Sequence, residues 1–300
     1  MQFKRIKRAI DGVLLLDKPL GFSSNQALQR AKYLFQAAKA GHTGSLDPLA
    51  SGLLPICFGE ATKFSHFLLN ADKSYRATIK LGVTTNTGDA EGEVLARAEV
   101  NVSPQALNAA LVKFTGVIQQ IPPMHSALKH QGRALYEYAR AGVDIERAAR
   151  TVTIHAISLE NFTHDRLQLM VTCSKGTYIR TLAEDIGKAL GCGAHLMALR
   201  RLSTAHFQLE QALTLEQLEA MSANDRDASL LPIEAGIIDL PAVSLDADSA
   251  YYLLQGQSVW KAGVNLAGPF RLYAEDSFLG VGEQGTDGKI APKRLVVTKA

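Results

Sequence analysis

Apolar positions along this chain follow two periods, and the switches between them mark the elements. Residues 13–16 form a short continuous apolar run, the pattern of a buried strand. Tyr75, Ala77, Ile79 and Leu81 alternate with Arg76, Thr78 and Lys80, which predicts a half-buried strand that ends at Gly82 and has Tyr75 as its first inward residue. Leu167, Leu169, Val171 and Cys173 repeat that alternation after a further strand over residues 152–159. Elsewhere the period lengthens. Ser23, Ser24 and Asn25 offer capping oxygens for a helix reaching about Ala37. Ser103 and Pro104 open a helix whose stripe is Leu107, Ala110, Leu111 and Phe114, and Gly116 closes it. A shorter helix over residues 134–141 ends at Gly142, and the turn at residues 175–178 feeds another that ends at Gly191. Thr214 and Gln217 stand at capping-box spacing for a later short helix.

Toward the C-terminus the character changes. Residues 222–229 are polar, and beyond about Leu240 short strands are predicted over residues 270–274, 278–283 and 289–297, joined by turns at Asp276-Ser277 and at residues 285–288. The expected division is a large domain over residues 1–239 and a small β-rich module over 240–300.

Composition narrows the function classes. A chain of 300 residues that is 47% hydrophobic can bury a substantial core. Lys and Arg exceed Asp and Glu by 32 to 29, so a nucleic-acid surface must be a local patch and not a global field. Lys4, Arg5, Lys7 and Arg8 precede an apolar run too short for a signal-peptide core, and no later run reaches membrane-spanning length, so a cytoplasmic protein is expected. Cys57, Cys173 and Cys192 are odd in number and form no Cys-x-x-Cys pair, which supports neither a disulfide framework nor a zinc site.

The segment from Gly41 to Pro55 is too punctuated by glycine and proline to read as helix or strand, and it holds one carboxylate, Asp47. Pro48 pushes Asp47 toward extended geometry, and Gly41, Gly44 and Gly52 allow close backbone approach. Asp before Pro is also an ordinary turn dipeptide. Here His42 precedes the carboxylate and the apolar residues 53–58 anchor the loop behind it, an arrangement suited to presenting a reactive group.

Four further segments accompany it: Gly12-Val-Leu-Leu-Leu-Asp-Lys-Pro19, Asp72-Lys-Ser-Tyr-Arg-Ala77, Ile121-Pro-Pro-Met-His-Ser-Ala-Leu-Lys129 and Cys173-Ser-Lys-Gly-Thr-Tyr-Ile-Arg-Thr181. In order and spacing the five together resemble the TruB family of tRNA pseudouridine synthases over roughly the first two thirds of the chain. The resemblance implies an α+β (mixed α/β) pseudouridine synthase fold: a central, mostly antiparallel sheet flanked by helices, with an RNA-gripping insertion at about residues 121–150. In the family the C-terminal position holds a module related to the PUA RNA-binding domain, although no motif here identifies one.

The implied activity is isomerisation of uridine to its C-glycoside at position 55 of the tRNA T-loop, with no cofactor and no metal. Asp47 matches the family's nucleophile. Arg180 matches its arginine partner, which a carboxylate in a dry pocket needs to stay ionised; without the motif it reads as a solvated residue early in a helix. Tyr75 matches the aromatic that stacks on the target base and can relay a proton, and by pattern alone it is core. Tyr178 and Leu199 correspond to pocket-lining positions, and His42 to the residue that fills space vacated by the flipped base. Lys18 is read as a buttress of the catalytic loop and a substrate-side residue, while Lys129 and Arg133 belong to the basic stretch that would grip phosphate. His125 stands where tyrosine is expected in relatives, so no role is carried over to it. The expected partner is the tRNA T-stem-loop, bound by a monomer. An RNA-folding chaperone with secondary isomerase activity, and a synthase acting on ribosomal RNA, remain alternatives at this level.

Overall fold

The computed structural model describes residues 7–297, so Lys4 and Arg5 of the basic N-terminal cluster lie outside the described residues. Its centre is a nine-stranded mixed sheet. Along the main path the strands run Gly12–Lys18, Ala50–Phe58, Ala194–Thr204, Lys73–Leu81, Arg166–Cys173, Arg150–Thr163 and Gly116–Gln120. Neighbours are antiparallel except for Ala194–Thr204 against Ala50–Phe58, which are parallel. Two short strands, Ala40–His42 and Phe207–Gln208, pair at the margins.

Alternation decides which face each strand buries. Tyr75, Ala77, Ile79 and Leu81 pack with Leu167, Leu169, Val171 and Cys173 beneath the helices Pro104–Lys113 and Ile179–Ala189, whose Leu107, Leu111, Leu182 and Ile186 join the same core. A second core sets Leu14, Leu16, Leu54 and Ile56 against the helix Ser24–Leu34 and against Leu215 and Leu218 of Leu215–Ala220.

The capping residues act as their sequence implies. Ser23 closes a box with Gln26, Ser103 accepts from the amide of Ala106, and Thr214 closes a box with Gln217. Several boundaries differ from expectation, each for a tertiary reason. The first helix ends at Leu34, not near Ala37, because Gln36 takes a left-handed φ of 52° and the chain then pairs with Arg8 through Arg8 N to Gln36 O at 2.7 Å and Ala38 N to Arg8 O at 2.8 Å. The segment 41–55 is not loop throughout: Ala40–His42 and Ala50–Phe58 are strands, leaving only residues 43–49 irregular. Gly52 sits inside the second strand at φ 103°, and Pro55 is accommodated opposite Leu15. Polar residues 222–229 contain a helix, Ala223–Ala228, capped by Ser222.

The C-terminal part forms its own four-stranded sheet in the order Ala242–Leu245, Pro269–Ala274, Ser277–Gln284, Ile290–Leu295, with the first pair parallel. Its first strand and the helix Ala247–Leu254 were not foreseen from the sequence. This sheet meets the rest of the chain through Phe278, Val281 and Val296 packed on Phe64 and Ile237, and through Lys63 Nζ donating to the Leu295 carbonyl at 2.9 Å.

Candidate active site

The loop of residues 43–49 is clamped on both flanks of its carboxylate. Leu46 is buried, and Ser24 holds it twice: its hydroxyl accepts from Leu46 N at 2.7 Å and donates to Leu46 O at 3.0 Å. Gly21 N donates to Pro48 O at 2.8 Å, Ala50 N to Asp47 O at 3.0 Å, and Thr43 N to Pro55 O at 3.1 Å. With its neighbours anchored, the Asp47 side chain stays half exposed, at 50%.

Arg180, in the first turn of Ile179–Ala189, is 7% exposed and lies between two carboxylates. Its Nη2 is 3.0 Å from Asp47 Oδ2, and its Nη1 is 3.2 Å from Asp89 Oδ2. It also donates to the carbonyls of Thr87 at 3.3 Å and His125 at 2.5 Å. Asp89 is itself buried and accepts from Thr87 Oγ1 at 2.6 Å and Glu91 N at 3.1 Å. The turn-rich segment Asn86-Thr-Gly-Asp-Ala-Glu-Gly92 was the one sequence signal for this second carboxylate, and it was missed.

Two adjoining cavities open beside the pair. One, about 290 Å³, is lined by Asp47, Tyr75, Tyr178, Arg180, Leu199 and Arg201. The other, about 500 Å³, is lined by His42, Asp47, Tyr136, Arg140 and Arg180 among others. Both reach His125, Ser126 and Ala127, so the segment following Ile121 forms their shared rim. A larger depression of about 640 Å³ between Lys80, Arg97 and Asp165 contains neither Asp47 nor Arg180; size alone does not mark the site.

The structure therefore brings five of the sequence-predicted residues, Asp47, Arg180, Tyr75, Tyr178 and Leu199, to one cavity and His42 to its neighbour. Lys18, Lys129 and Arg133 line neither. Lys18 is fully buried and its ammonium donates to the carbonyls of Pro19, at 3.0 Å, and Phe22, bracing the chain that holds Pro48. A substrate-side position for Lys18 does not fit that burial. Lys129 and Arg133 lie on an exposed two-residue hairpin, where Arg133 pairs with Glu137 at 3.0 Å.

Burial sets the charge states around the cavity. It raises the phenols of Tyr75 and Tyr178, keeping them protonated at neutral pH, and lowers the His42 imidazole, with Arg201 adding to that effect. Lys73, enclosed by the carbonyls of Leu68, Leu69 and Ala71, is pushed down to about 8, as is Lys18. Among the described residues no three His, Cys, Asp or Glu side chains gather as a metal-binding group.

Family comparison resolves what this geometry belongs to. Residues 32–179 match the model of the TruB family pseudouridylate synthase N-terminal domain, residues 180–237 that of the tRNA pseudouridylate synthase B C-terminal domain, and residues 241–296 that of the pseudouridine synthase II TruB C-terminal region. The chain belongs to the TruB family. It is 67% identical to tRNA pseudouridine synthase B of Methylobacillus flagellatus over 99% of this chain and 98% of that one, and 56% identical to the same enzyme of Dechloromonas aromatica over 99% of each. Among solved structures it superposes on a chain of a Cbf5-Nop10-Gar1 complex with a TM-score of 0.71 and 26% identity, covering 96% of this chain and 84% of that one. A chain of an H/ACA RNP bound to a substrate RNA shares the fold at the same TM-score of 0.71 and 22% identity. This TruB-family chain is thus a pseudouridine synthase, an isomerase with the pseudouridine synthase fold, and its C-terminal sheet lies within the region matched by the family's own C-terminal model.

Proposed function

We propose that this TruB-family enzyme converts uridine 55 in the T-loop of tRNA to pseudouridine, with residues 1–239 as the catalytic part and residues 240–300 as an RNA-binding module. The observation that carries the reading is Asp47: a half-exposed carboxylate on a loop clamped at Leu46 and Pro48, paired with a buried arginine at the junction of two cavities. A carboxylate so placed is held and aimed by the guanidinium without cofactor chemistry.

In this reading the uridine leaves its stack, at a cost of about a few kcal/mol, and enters the 290 Å³ cavity with its base against Tyr75 and its edges near Tyr178 and Leu199. His42 faces the space beside it. The N1–C1′ bond breaks with Asp47 as the nucleophile, the base turns, and C5 bonds to C1′; C5 gives up its hydrogen as a proton and N1 takes one up, so the product is an isomer. Arg180 orients Asp47, and Asp89 keeps Arg180 in place. Lys129 and Arg133 contact phosphate outside the cavity, positioning the loop without reading its sequence. Lys18 acts only as a brace. The enzyme works as a monomer in the cytoplasm; among the described residues no helix is long and apolar enough to cross a membrane.

The lost C5 hydrogen supplies the test. Tritium release from tRNA transcript labelled at uracil C5 is expected with the wild-type chain and absent with Asp47→Asn. Release by neither, with tRNA binding intact, would overturn the reading in favour of RNA refolding or another RNA substrate.

A further inference from the structure

Among the described residues Arg201 is the largest fully buried side chain, 1% exposed, and no carboxylate pairs with it. A buried cation without a counter-ion is costly and persists only where other groups take up its hydrogen-bonding capacity. Its place explains which groups do so. The central strand Ala194–Thr204 runs between the strand that follows the Asp47 loop and the strand that carries Tyr75, and Arg201 is paired with Gly52 on one side and Tyr75 on the other.

Its Nε donates to Leu53 O at 2.6 Å and its Nη2 to Gly44 O at 3.3 Å, and across the strand pair it stands opposite Tyr75, with which it lines the same cavity. Gly52 lets the two strand backbones approach closely at this position, and Gly44 lies in contact with the guanidinium. A Cβ on Gly52 would stand 2.3 Å from the Arg201 carbonyl oxygen, and one on Gly44 would meet Nη1 at 3.5 Å.

A guanidinium has only donors, so toward the facing phenol it can only donate, with the phenol oxygen accepting. The phenol's own proton is then left for another partner, and Tyr75 opens onto the same cavity as Asp47. We propose that Arg201 is the positioning residue of this site: it fixes the Tyr75 hydroxyl as a hydrogen-bond donor into the cavity and ties that hydroxyl to the loop that carries Asp47. The inference rests on the pseudouridine synthase reading above and adds a residue to it. Arg201 itself acts through Tyr75 and the loop. The other titratable groups facing Tyr75 are Cys173 and Asp47, with Lys73 beside Arg201.

The test uses the full chain and a T-loop tRNA transcript under single-turnover conditions. Tyr75→Phe and Arg201→Met are each expected to lower the rate about a hundredfold, the scale of a lost proton-positioning group, with tRNA affinity within about threefold of wild type. Adding Arg201→Met to Tyr75→Phe is expected to cost less than about a further threefold, because the partner is already gone. An equal loss in both backgrounds, or a loss confined to tRNA affinity, would overturn the proposal. Arg201→Gln, which keeps one N–H for a neighbour without the charge, takes the place of Met if the Met variant does not fold by circular dichroism, with the same outcomes deciding.

A second arm leaves Arg201 intact and places 3-fluorotyrosine, a more acidic phenol, at position 75. A hydroxyl that must donate loses its function as pH rises through its pKa, so the alkaline fall in rate is expected at lower pH than in wild type. An unshifted fall, or a rate that rises with pH, would overturn the donor role. A wild type inactive on tRNA would fail the functional reading itself, whereas an active wild type with independent Arg201 and Tyr75 effects would fail this inference alone.

Discussion

The two sheets of this chain are built from similar alternating strands but treat charge in opposite ways. Around the nine-stranded sheet the described residues bury Lys18, Lys73, Asp89, Arg180 and Arg201. The four-stranded sheet closes on Val243, Leu245, Leu253, Phe270, Leu272, Leu279 and Ile290, and among the described residues no charged side chain is buried there. Desolvating a charge opposes folding, and well-packed apolar side chains would serve stability better. The larger sheet therefore carries an arrangement that stability alone does not favour, and all of its buried charges except Lys18 and Asp89 line the cavity beside Asp47. Asp89 reaches that cavity through Arg180, and Lys18 through the chain that holds Pro48.

If this contrast is functional, substitutions around the larger sheet should damage chemistry before stability, and those in the smaller sheet the reverse. The largest effect is expected for Asp47→Asn, which should reduce turnover by about 10⁴-fold or more, the usual scale for removing a nucleophile, with the thermal midpoint nearly unchanged because the side chain is half exposed. Tritium release and differential scanning calorimetry on one preparation check both halves. Arg180→Met should follow, with turnover lost by about 10²–10⁴-fold and tRNA binding retained. Unlike Asp47→Asn it should also destabilise the fold, by about 3–5 kcal/mol, because Asp89 is left buried and unpaired. Full activity in that variant would remove the Asp47–Arg180 pairing from the mechanism.

Phe270→Ala tests the other side of the comparison. Phe270 is fully buried, so its truncation should cost about 3–5 kcal/mol in urea denaturation of the C-terminal sheet, while the single-turnover rate at saturating tRNA stays near wild type. A rate loss as large as that of Arg180→Met would show that the two sheets are not separable in function.

The smallest effect is a pH dependence. Lys18 and Lys73 hold their protons to about pH 10.5 in the unfolded chain but release them near pH 8 in the fold. Between those values the unfolded state binds more protons, so stability rises with pH across the window, and below about pH 8 each lysine imposes its full burial penalty. The gain is on the order of 1–3 kcal/mol per lysine. Lys73→Met should flatten its share of the slope in denaturant titrations between pH 8 and 10.5, whereas an unchanged slope would mean that Lys73 does not titrate there.

Local pattern carried much of this molecule. The strands at residues 13–16, 75–81 and 167–173 and the caps at Ser23, Ser103 and Thr214 were legible because side-chain period and capping oxygens are local properties. The family resemblance named Asp47, Arg180, Tyr75, Tyr178, Leu199 and His42, which the fold gathers at two adjoining cavities. Lys129 and Arg133 entered the substrate-side set through their charge and a segment resembling the family's RNA-gripping loop, and they stand on an exposed hairpin outside both cavities.

The tertiary structure decided the rest. Ala50–Phe58 is a strand despite Gly52 and Pro55 because the chains on either side supply its pairing, and Gly52 is needed where the backbone of Arg201 presses against it. Asp89 had only its polar turn to announce it and Arg201 nothing: a carboxylate in such a turn and an arginine among leucines read as solvent-facing until the fold closes over them. Periodicity and capping are written in neighbouring residues, so the sequence determined the elements. Which charges lose water depends on contacts between segments over a hundred residues apart, as between Arg201 and Leu53, and only the packed chain sets those.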